Sequence, residues 1–181
     1  CGDYAAWQRE IADPGMVAIN LSLKELSQAS FIPHCRSVFE KHGVSPSRVE
    51  LEITETTLML DAERTLPLLD ELRAMGVHLS IDDFGTGYSS LSALQQFPIG
   101  TLKIDQSFVR NAATDPDDAT IVRTIIEMGR SLGLQVLAEG IETEEQRDFL
   151  LQSGCQFGQG RLFGHPVSAD EFLELVLKQA T

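Results

Sequence analysis

Short apolar runs alternate along the chain with longer amphipathic segments. In one such segment, Leu66, Leu69 and Leu72 recur at helical spacing and predict a helix over residues 64–75. Most of the short runs are rich in Val, Ile and Leu, which is typical of buried strands. The pattern predicts six strands, over residues 16–22, 49–55, 78–84, 101–105, 135–140 and 155–160.

Signals for helix starts and ends fall between these runs. Asp115 followed by Pro116 is typical of an N-cap residue and a first-turn proline. Gly43, Gly76 and Gly154 predict helix ends, because glycine readily adopts the left-handed conformation that closes a helix. Capping-box spacing occurs at Ser22 and Glu25, at Thr143 and Gln146, and at Ser168 and Glu171.

Six repeats of strand and helix predict an α/β fold with parallel strands. No insertion is long enough to form a second domain, so we expect residues 1–181 to belong to a single domain. A (β/α)8 barrel and an open doubly wound sheet both fit this alternation. The first predicted strand is not followed by GxGxxG, which disfavours a dinucleotide-binding sheet.

Polar residues occupy the carboxyl ends of the predicted strands, where a buried strand would otherwise be apolar. One acid at a strand end is more often a helix cap, but the pattern repeats on all six strands. In a parallel α/β fold these ends open on one face, where active sites are built. The residues are Asn20, Glu52, Glu55, Asp82, Asp83, Lys103, Asp105, Glu139 and Gln159.

Several carboxylates gathered at the carboxyl ends of the strands repel one another unless a cation lies among them. Their all-oxygen donor set predicts Mg²⁺ or Mn²⁺ rather than zinc. Two ions are plausible, with Asp82 between them, and such pairs drive attack of water at phosphorus. Lys103 would then hold the attacking water or a phosphate oxygen. A Schiff-base lyase using Lys103 is the competing hypothesis, although it leaves the carboxylates unexplained.

The composition excludes several classes of protein. Fourteen basic and 27 acidic residues give a net charge of −13, which argues against DNA as a partner. No apolar run is long enough to span a membrane, and no signal peptide is visible, so we expect no membrane insertion of this segment. Three cysteines without a CxxC motif favour a reducing, cytoplasmic location over a disulfide framework.

Several strings together resemble the EAL domain, the bacterial cyclic di-GMP phosphodiesterase family. The resemblance runs in order and without gaps from about Met16 to Pro166. Its most specific part is DDFGTGYSSL, at residues 82–91. The other strings are NLS at 20–22, ELEITE at 50–55, LKID at 102–105, SFV at 107–109, AEGIET at 138–143 and QG at 159–160.

The resemblance implies a TIM-like (β/α)8 barrel with one antiparallel strand, and hydrolysis of cyclic di-GMP to linear pGpG with Mg²⁺ or Mn²⁺. By position, Lys103 would orient the nucleophilic water, and Glu139 and Asp83 would also serve catalysis. Glu55 would steady the loop 83–90, which includes Gly85 and Thr86 and which couples metal binding to dimerisation in the family. The residues implied as metal ligands are Asn20, Glu52 and Asp82 for one ion and Asp82, Asp83 and Glu139 for the other, with Gln159 and Glu142 supporting the substrate or the site.

The Glu-Ala-Leu triplet that names the family does not occur in the chain, which begins with Cys1 rather than Met. A complete barrel needs eight strands and about 250 residues. We therefore expect the chain to be the C-terminal three quarters of one EAL domain, without the two N-terminal strands and impaired as a hydrolase by itself. Upstream sensor or GGDEF-type domains and a homodimer are further expectations. The alternative function is a receptor that binds cyclic di-GMP without cutting it.

Overall fold

The computed structural model describes residues 1–60, 62–87 and 94–179, and its strands and helices alternate as predicted. Each of the six predicted strands is present. They are β1 (Val17–Asn20), β2 (Val49–Thr54), β3 (His78–Phe84), β4 (Thr101–Ile104), β5 (Gln135–Ala138) and β6 (Phe157–Gly158).

The helices begin where the capping signals predict them. Ser22 and Thr143 each form a reciprocal capping box, and Asp115 accepts hydrogen bonds from the backbone N–H of Asp117 and Asp118. The helices are α1 (Gly2–Glu10), α2 (Leu23–Leu26), α3 (Phe31–His42), α4 (Glu55–Leu60), α5 (Ala62–Ala74), α6 (Gln106–Asn111), α7 (Pro116–Ser131), α8 (Glu144–Gln152) and α9 (Ala169–Gln179), with a 3-10 turn at Pro46–Arg48.

Five strands are shorter than predicted, and after three of them a polar residue at the predicted strand end, Ser22, Glu55 or Asp105, serves the next helix. Glu55, which was predicted to end a strand, is the first residue of α4. Asp105 accepts a hydrogen bond from the backbone N–H of Ser107 and caps α6. An N-cap residue keeps non-helical, typically extended dihedrals, so it can stand directly between a strand and the helix that it caps. Asp105 is therefore a helix cap, which is the more common role of an acid at a strand end.

Strand order distinguishes between the two architectures that the sequence allowed. The sheet runs β1-β2-β3-β4-β5-β6, with all neighbours parallel. A doubly wound sheet reverses its strand order at a switch point, whereas a barrel adds each strand on the same side. The order is therefore that of a barrel, and the six described strands form part of one.

The two faces of the sheet differ in chemistry because side chains alternate along each strand. One face is apolar and packs against buried helix residues such as Leu69 and Val122. The opposite face, which corresponds to the inside of a barrel, carries polar side chains that are nonetheless shielded from water. The apolar set includes Leu51, Ile53, Leu79, Ile81, Leu102 and Ile104, and the polar set includes Glu50, Glu52, Ser80, Thr101 and Lys103.

Helix α1 contacts the beginning of helix α9. The ring of Trp7 in α1 lies 4.5 Å from that of Phe172 in α9, and Trp7 Nε1 donates a hydrogen bond to the Ala169 carbonyl. Within the described ranges, no helix combines the length and apolar character that crossing a bilayer requires.

Gly160 lies where the backbone of two segments meets, and we predict that Gly160→Ala destabilises the fold. An added Cβ would lie 2.1 Å from the Ile141 carbonyl oxygen and 2.3 Å from its nitrogen, and backbone atoms cannot easily move away. The expected loss in the free energy of unfolding is about 1–3 kcal/mol, measured by chemical denaturation. Gly164→Ala is the matched control, since a Cβ there meets open space. Equal stability of the two variants would contradict this packing.

Candidate metal centre

Lys103 is the central cation of the polar face. Its side chain is buried, and its Nζ lies 2.5 Å from Glu52 Oε1, 2.6 Å from Glu139 Oε1 and 3.4 Å from Asp82 Oδ1. The three acids come from three strands or strand ends, β2, β3 and the residue that follows β5. A single ammonium thus joins side chains that are far apart in sequence, as the strand-end pattern predicts.

A β-bulge in β3 places two consecutive acids on the same side. The pairing of β3 with β4 shifts between Ile81 and Phe84, and Asp83 has a φ of +53°. Neighbouring residues of a regular strand point to opposite faces, but a bulge adds a residue and redirects its side chain. Aspartate tolerates this left-handed conformation better than most residues. As a result, carboxylate oxygens of Asp82, Asp83 and Glu139 lie within 4.8 Å of one another.

The cluster holds more negative charge than Lys103 can neutralise. Burial, followed by the charges of Asp82 and Asp105, raises the pKa of Asp83 above its ordinary value. Burial also raises the pKa of Glu139, against the opposing effect of its hydrogen bond from Lys103. These shifts mark carboxylates that are costly to ionise in the absence of another cation.

The pKa of Lys103 is also raised, which for an ammonium favours the charged form. Burial acts to lower its pKa, but hydrogen bonds to Glu139 and Glu52 and the charges of Glu139 and Asp82 together outweigh burial, so the pKa is raised. The ammonium therefore stays protonated at neutral pH. It can donate hydrogen bonds, but it cannot act as a free amine nucleophile.

Residues after β5 and β6 extend the cluster toward solvent. Gln159 Nε2 donates a hydrogen bond to Glu139 Oε1 at 2.9 Å. Glu142 is exposed and pairs with Arg161, whose Nη1 lies 3.3 Å from Glu142 Oε1. The sequence interpretation included Gln159 and Glu142 but missed Arg161, because a lone exposed arginine carries no spacing signal.

Glu55 contacts the loop that follows β3 rather than the Lys103 cluster. Its Oε2 accepts hydrogen bonds from the backbone N–H of Gly85 at 2.9 Å and of Gly87 at 3.3 Å. Thr86 Oγ1 donates a hydrogen bond to the Asp83 carbonyl at 2.8 Å, which ties this loop to the bulge. Residues 88–90 of the predicted loop 83–90 lie outside the described residues.

Asn20 is at the edge of the arrangement. It is exposed at the end of β1, and in the strand register it lies opposite Glu52. The described contacts link it to the cluster through this register alone. Its carbonyl oxygen is of the type that Mg²⁺ and Mn²⁺ prefer, as are the carboxylates across the register.

The sequence and the fold were compared with those of known proteins, and both match EAL domains. The family model for the EAL domain matches residues 1–166. The chain is 44% identical over 175 residues to the bifunctional diguanylate cyclase/cyclic di-GMP phosphodiesterase MucR of Pseudomonas aeruginosa, covering 97% of the chain and 24% of MucR. It is 43% identical over 160 residues to the cyclic di-GMP phosphodiesterase NbdA of the same organism, covering 87% and 20%. The chain thus spans a quarter or less of the length of these relatives.

Solved structures agree with the sequence relatives. The MucR phosphodiesterase in complex with c-di-GMP superposes with a TM-score of 0.90 at 43% identity, covering 94% of this chain and 69% of that one. A manganese and cyclic di-GMP complex of Klebsiella pneumoniae BlrP1 gives a TM-score of 0.82 at 32% identity, covering 90% and 42%. The strand order, the matched strings and these superpositions lead to one conclusion. The chain belongs to the EAL domain family.

Proposed function

We propose that this chain supplies most of a metal-dependent site that hydrolyses cyclic di-GMP to linear pGpG. The observation that carries the proposal is the buried Lys103 ammonium among acids whose oxygens converge within hydrogen-bonding and metal-ligating distances. Relatives named as cyclic di-GMP phosphodiesterases support the choice of substrate.

The charge of the cluster supports two divalent ions. Glu52, Asp82, Asp83 and Glu139 are four carboxylates against one ammonium, which leaves three negative charges. One divalent ion would leave the site negative and repel a phosphodiester, whereas two would leave it with a single positive charge that matches the phosphodiester anion. Asn20, Glu52 and Asp82 would hold one ion, and Asp82, Asp83 and Glu139 the other. Mg²⁺ or Mn²⁺ there supplies acidification of the attacking water and neutralisation of phosphate charge.

Lys103, as a permanently protonated donor, would orient the attacking water or a phosphate oxygen. Gln159, which donates a hydrogen bond to Glu139, would hold that carboxylate in place and face the substrate. Glu142 would act as a supporting acid at the rim. The raised pKa of Lys103 also argues against a Schiff-base lyase, since that chemistry needs the neutral amine.

The loop formed by Gly85, Thr86 and Gly87 would connect this site to a homodimer interface. Glu55 fixes its backbone through two hydrogen bonds, and Thr86 bonds to the carbonyl of Asp83. A conformational change at the interface would then reach Asp83 through the backbone of residues 85–87 and the hydrogen bond of Thr86.

We further propose that residues 1–181 are the C-terminal three quarters of one EAL domain in a larger cytoplasmic protein with upstream sensor or GGDEF-type domains. The relatives and solved structures above contain residues that this chain does not cover. Its three cysteines are free, which fits a reducing compartment.

Turnover of cyclic di-GMP to pGpG with Mg²⁺ tests the proposed function. We expect little or no turnover by the 181-residue chain alone. A longer form, extended upstream by about 60 residues or roughly two strand–helix units, should be active. Asp83→Asn in the longer form should lower kcat by about 100-fold or more, because it removes a charged ligand.

Asp117→Asn is the matched control, since it makes the same chemical change at an exposed aspartate in the first turn of α7. It should leave turnover unchanged. If the longer form binds cyclic di-GMP but never cleaves it, the protein is a receptor and the hydrolase proposal is wrong. Normal turnover by the 181-residue chain would refute the expected impairment.

Thermal unfolding of the longer form tests the metal assignment independently of turnover. Without metal, Asp83→Asn should raise the stability at about pH 7.5 by less than about 1 kcal/mol, because the carboxylate is only partly buried and water screens it. The pKa of Asp83 is raised in the folded state, so its stabilising contribution is present below the ordinary value of 3.8 and is lost as pH rises through the raised pKa. The advantage of Asp83→Asn should therefore shrink as the solution is acidified.

Saturating Mn²⁺ should reverse the order of the two proteins. Wild type gains stability from the bound ion, and the variant gains less, because ligands stabilise the state that binds them. Equal stabilisation of both proteins by Mn²⁺ would show that Asp83 is not a ligand.

A further inference from the structure

Gln146 in the first turn of α8 makes more hydrogen bonds than its capping role requires. Its side chain is 7% exposed. Oε1 accepts from the backbone N–H of Thr143 at 3.0 Å, which completes the capping box. It also accepts from the backbone N–H of Glu142 at 2.7 Å, and Nε2 donates to the Arg110 carbonyl at 3.0 Å. Two of the three bonds therefore lie outside the capping box.

These two bonds join the segment 139–143 to helix α6. Arg110 lies in the last turn of α6, and Glu142 lies three residues after Glu139. The segment also touches the first turn of α6, where a Cβ on Gly140 would lie 2.5 Å from the Cβ of Gln106. Gly140 has a φ of +69°, so both conformation and space favour glycine there. The segment is thus held at both ends of the helix.

Helix α6 directly follows the strand that carries Lys103. Only Asp105, its N-cap, separates α6 from β4 (Thr101–Ile104). The contact between Lys103 Nζ and Glu139 Oε1 therefore spans two elements, β4 and the segment 139–143. Strand pairing fixes the start of the segment, since Ala138 pairs with Ile104 and the backbone N–H of Glu139 donates to the Ile104 carbonyl at 3.2 Å. Gln146 and the Gly140 contact fix the rest of the segment against α6.

We propose that Gln146 is a positioning residue that sets the placement of Glu139 and Glu142 relative to Lys103. The proposal rests on the proposed function of the site. Gln146 reaches the site through the backbone of Glu142 and need not touch metal or substrate. Removing its carboxamide leaves two backbone N–H groups and one carbonyl without their side-chain partner, in a partly buried location. The segment then relaxes, and Glu139 moves relative to the other carboxylates.

The test uses Gln146→Met in the longer form, because methionine has similar length and no hydrogen-bonding amide. Titration calorimetry should show Mn²⁺ affinity reduced by about 10-fold or more, as is typical for groups that orient metal ligands. Turnover should show kcat lowered by about 10-fold to 100-fold, with KM changed by less than about three-fold. A merely structural role would lower the melting temperature and leave Mn²⁺ affinity unchanged.

Two further variants keep the test decisive. Gln146→Glu retains both acceptor bonds to the segment, but its second carboxylate oxygen replaces the donor and faces the Arg110 carbonyl. Because the two bonds to the segment are kept, it should bind Mn²⁺ more tightly than Gln146→Met. Gln152→Met makes the same substitution at an exposed position in the same helix and should match wild type. The proposal is wrong if Gln146→Met binds Mn²⁺ as tightly as Gln152→Met does. It is also wrong if Gln146→Glu loses as much Mn²⁺ affinity as Gln146→Met.

The calorimetric measurement separates this proposal from the proposed function. If wild type binds Mn²⁺ but does not cleave cyclic di-GMP, the hydrolase proposal fails, while the affinity of Gln146→Met still decides the positioning role. If wild type cleaves and Gln146→Met binds Mn²⁺ normally, only the positioning role fails.

Discussion

The buried ammonium of Lys103 holds the polar face of this sheet together. It touches Glu52, Asp82 and Glu139, so it connects three neighbouring parts of the barrel at its interior. Removing one partner from a buried ion pair typically costs about 3–5 kcal/mol, because the remaining charge is left uncompensated. In this cluster the cost would include the mutual repulsion of the carboxylates, so the ammonium constrains both the fold and the chemistry that the site can perform.

The same cluster explains why the site is built at the expense of local regularity. A bulge and a left-handed aspartate bring Asp83 beside Asp82, and the pKa of Asp83 is raised by burial and by its acidic neighbours. Such departures from regular geometry collect at functional sites, where surrounding structure holds them in place. Glu55 and Thr86 supply that support on one side through the loop after β3, and Gln159 supplies it on the other through Glu139.

Local sequence signals predicted the strands and helices of this fold well. Apolar runs predicted all six strands, and capping boxes at Ser22 and Thr143 were confirmed, because both depend on residues close together in the chain. The order of the strands could not be predicted from alternation alone, since barrel and open sheet share it, but the resemblance to the EAL family indicated the barrel.

Contacts between residues far apart in the chain could not be predicted from the sequence. The bulge at Asp82 and Asp83 depends on pairing with a strand 20 residues away, and nothing in the string itself shows the shift. Asp105 and Glu55 were interpreted as strand ends, although they serve α6 and α4, because a cap and a ligand have the same residue type. Gln146 was predicted as half of a capping box, but its bond to Arg110, 36 residues away, requires the fold.

Anomalous diffraction from crystals of the longer form grown with Mn²⁺ would show whether the acids around Lys103 hold metal ions. Strong anomalous peaks should lie between the carboxylates of Asp82, Asp83 and Glu139, with Lys103 still beside them. Absence of a peak there, with Lys103 remaining the sole cation among these acids, would contradict the proposed metal site.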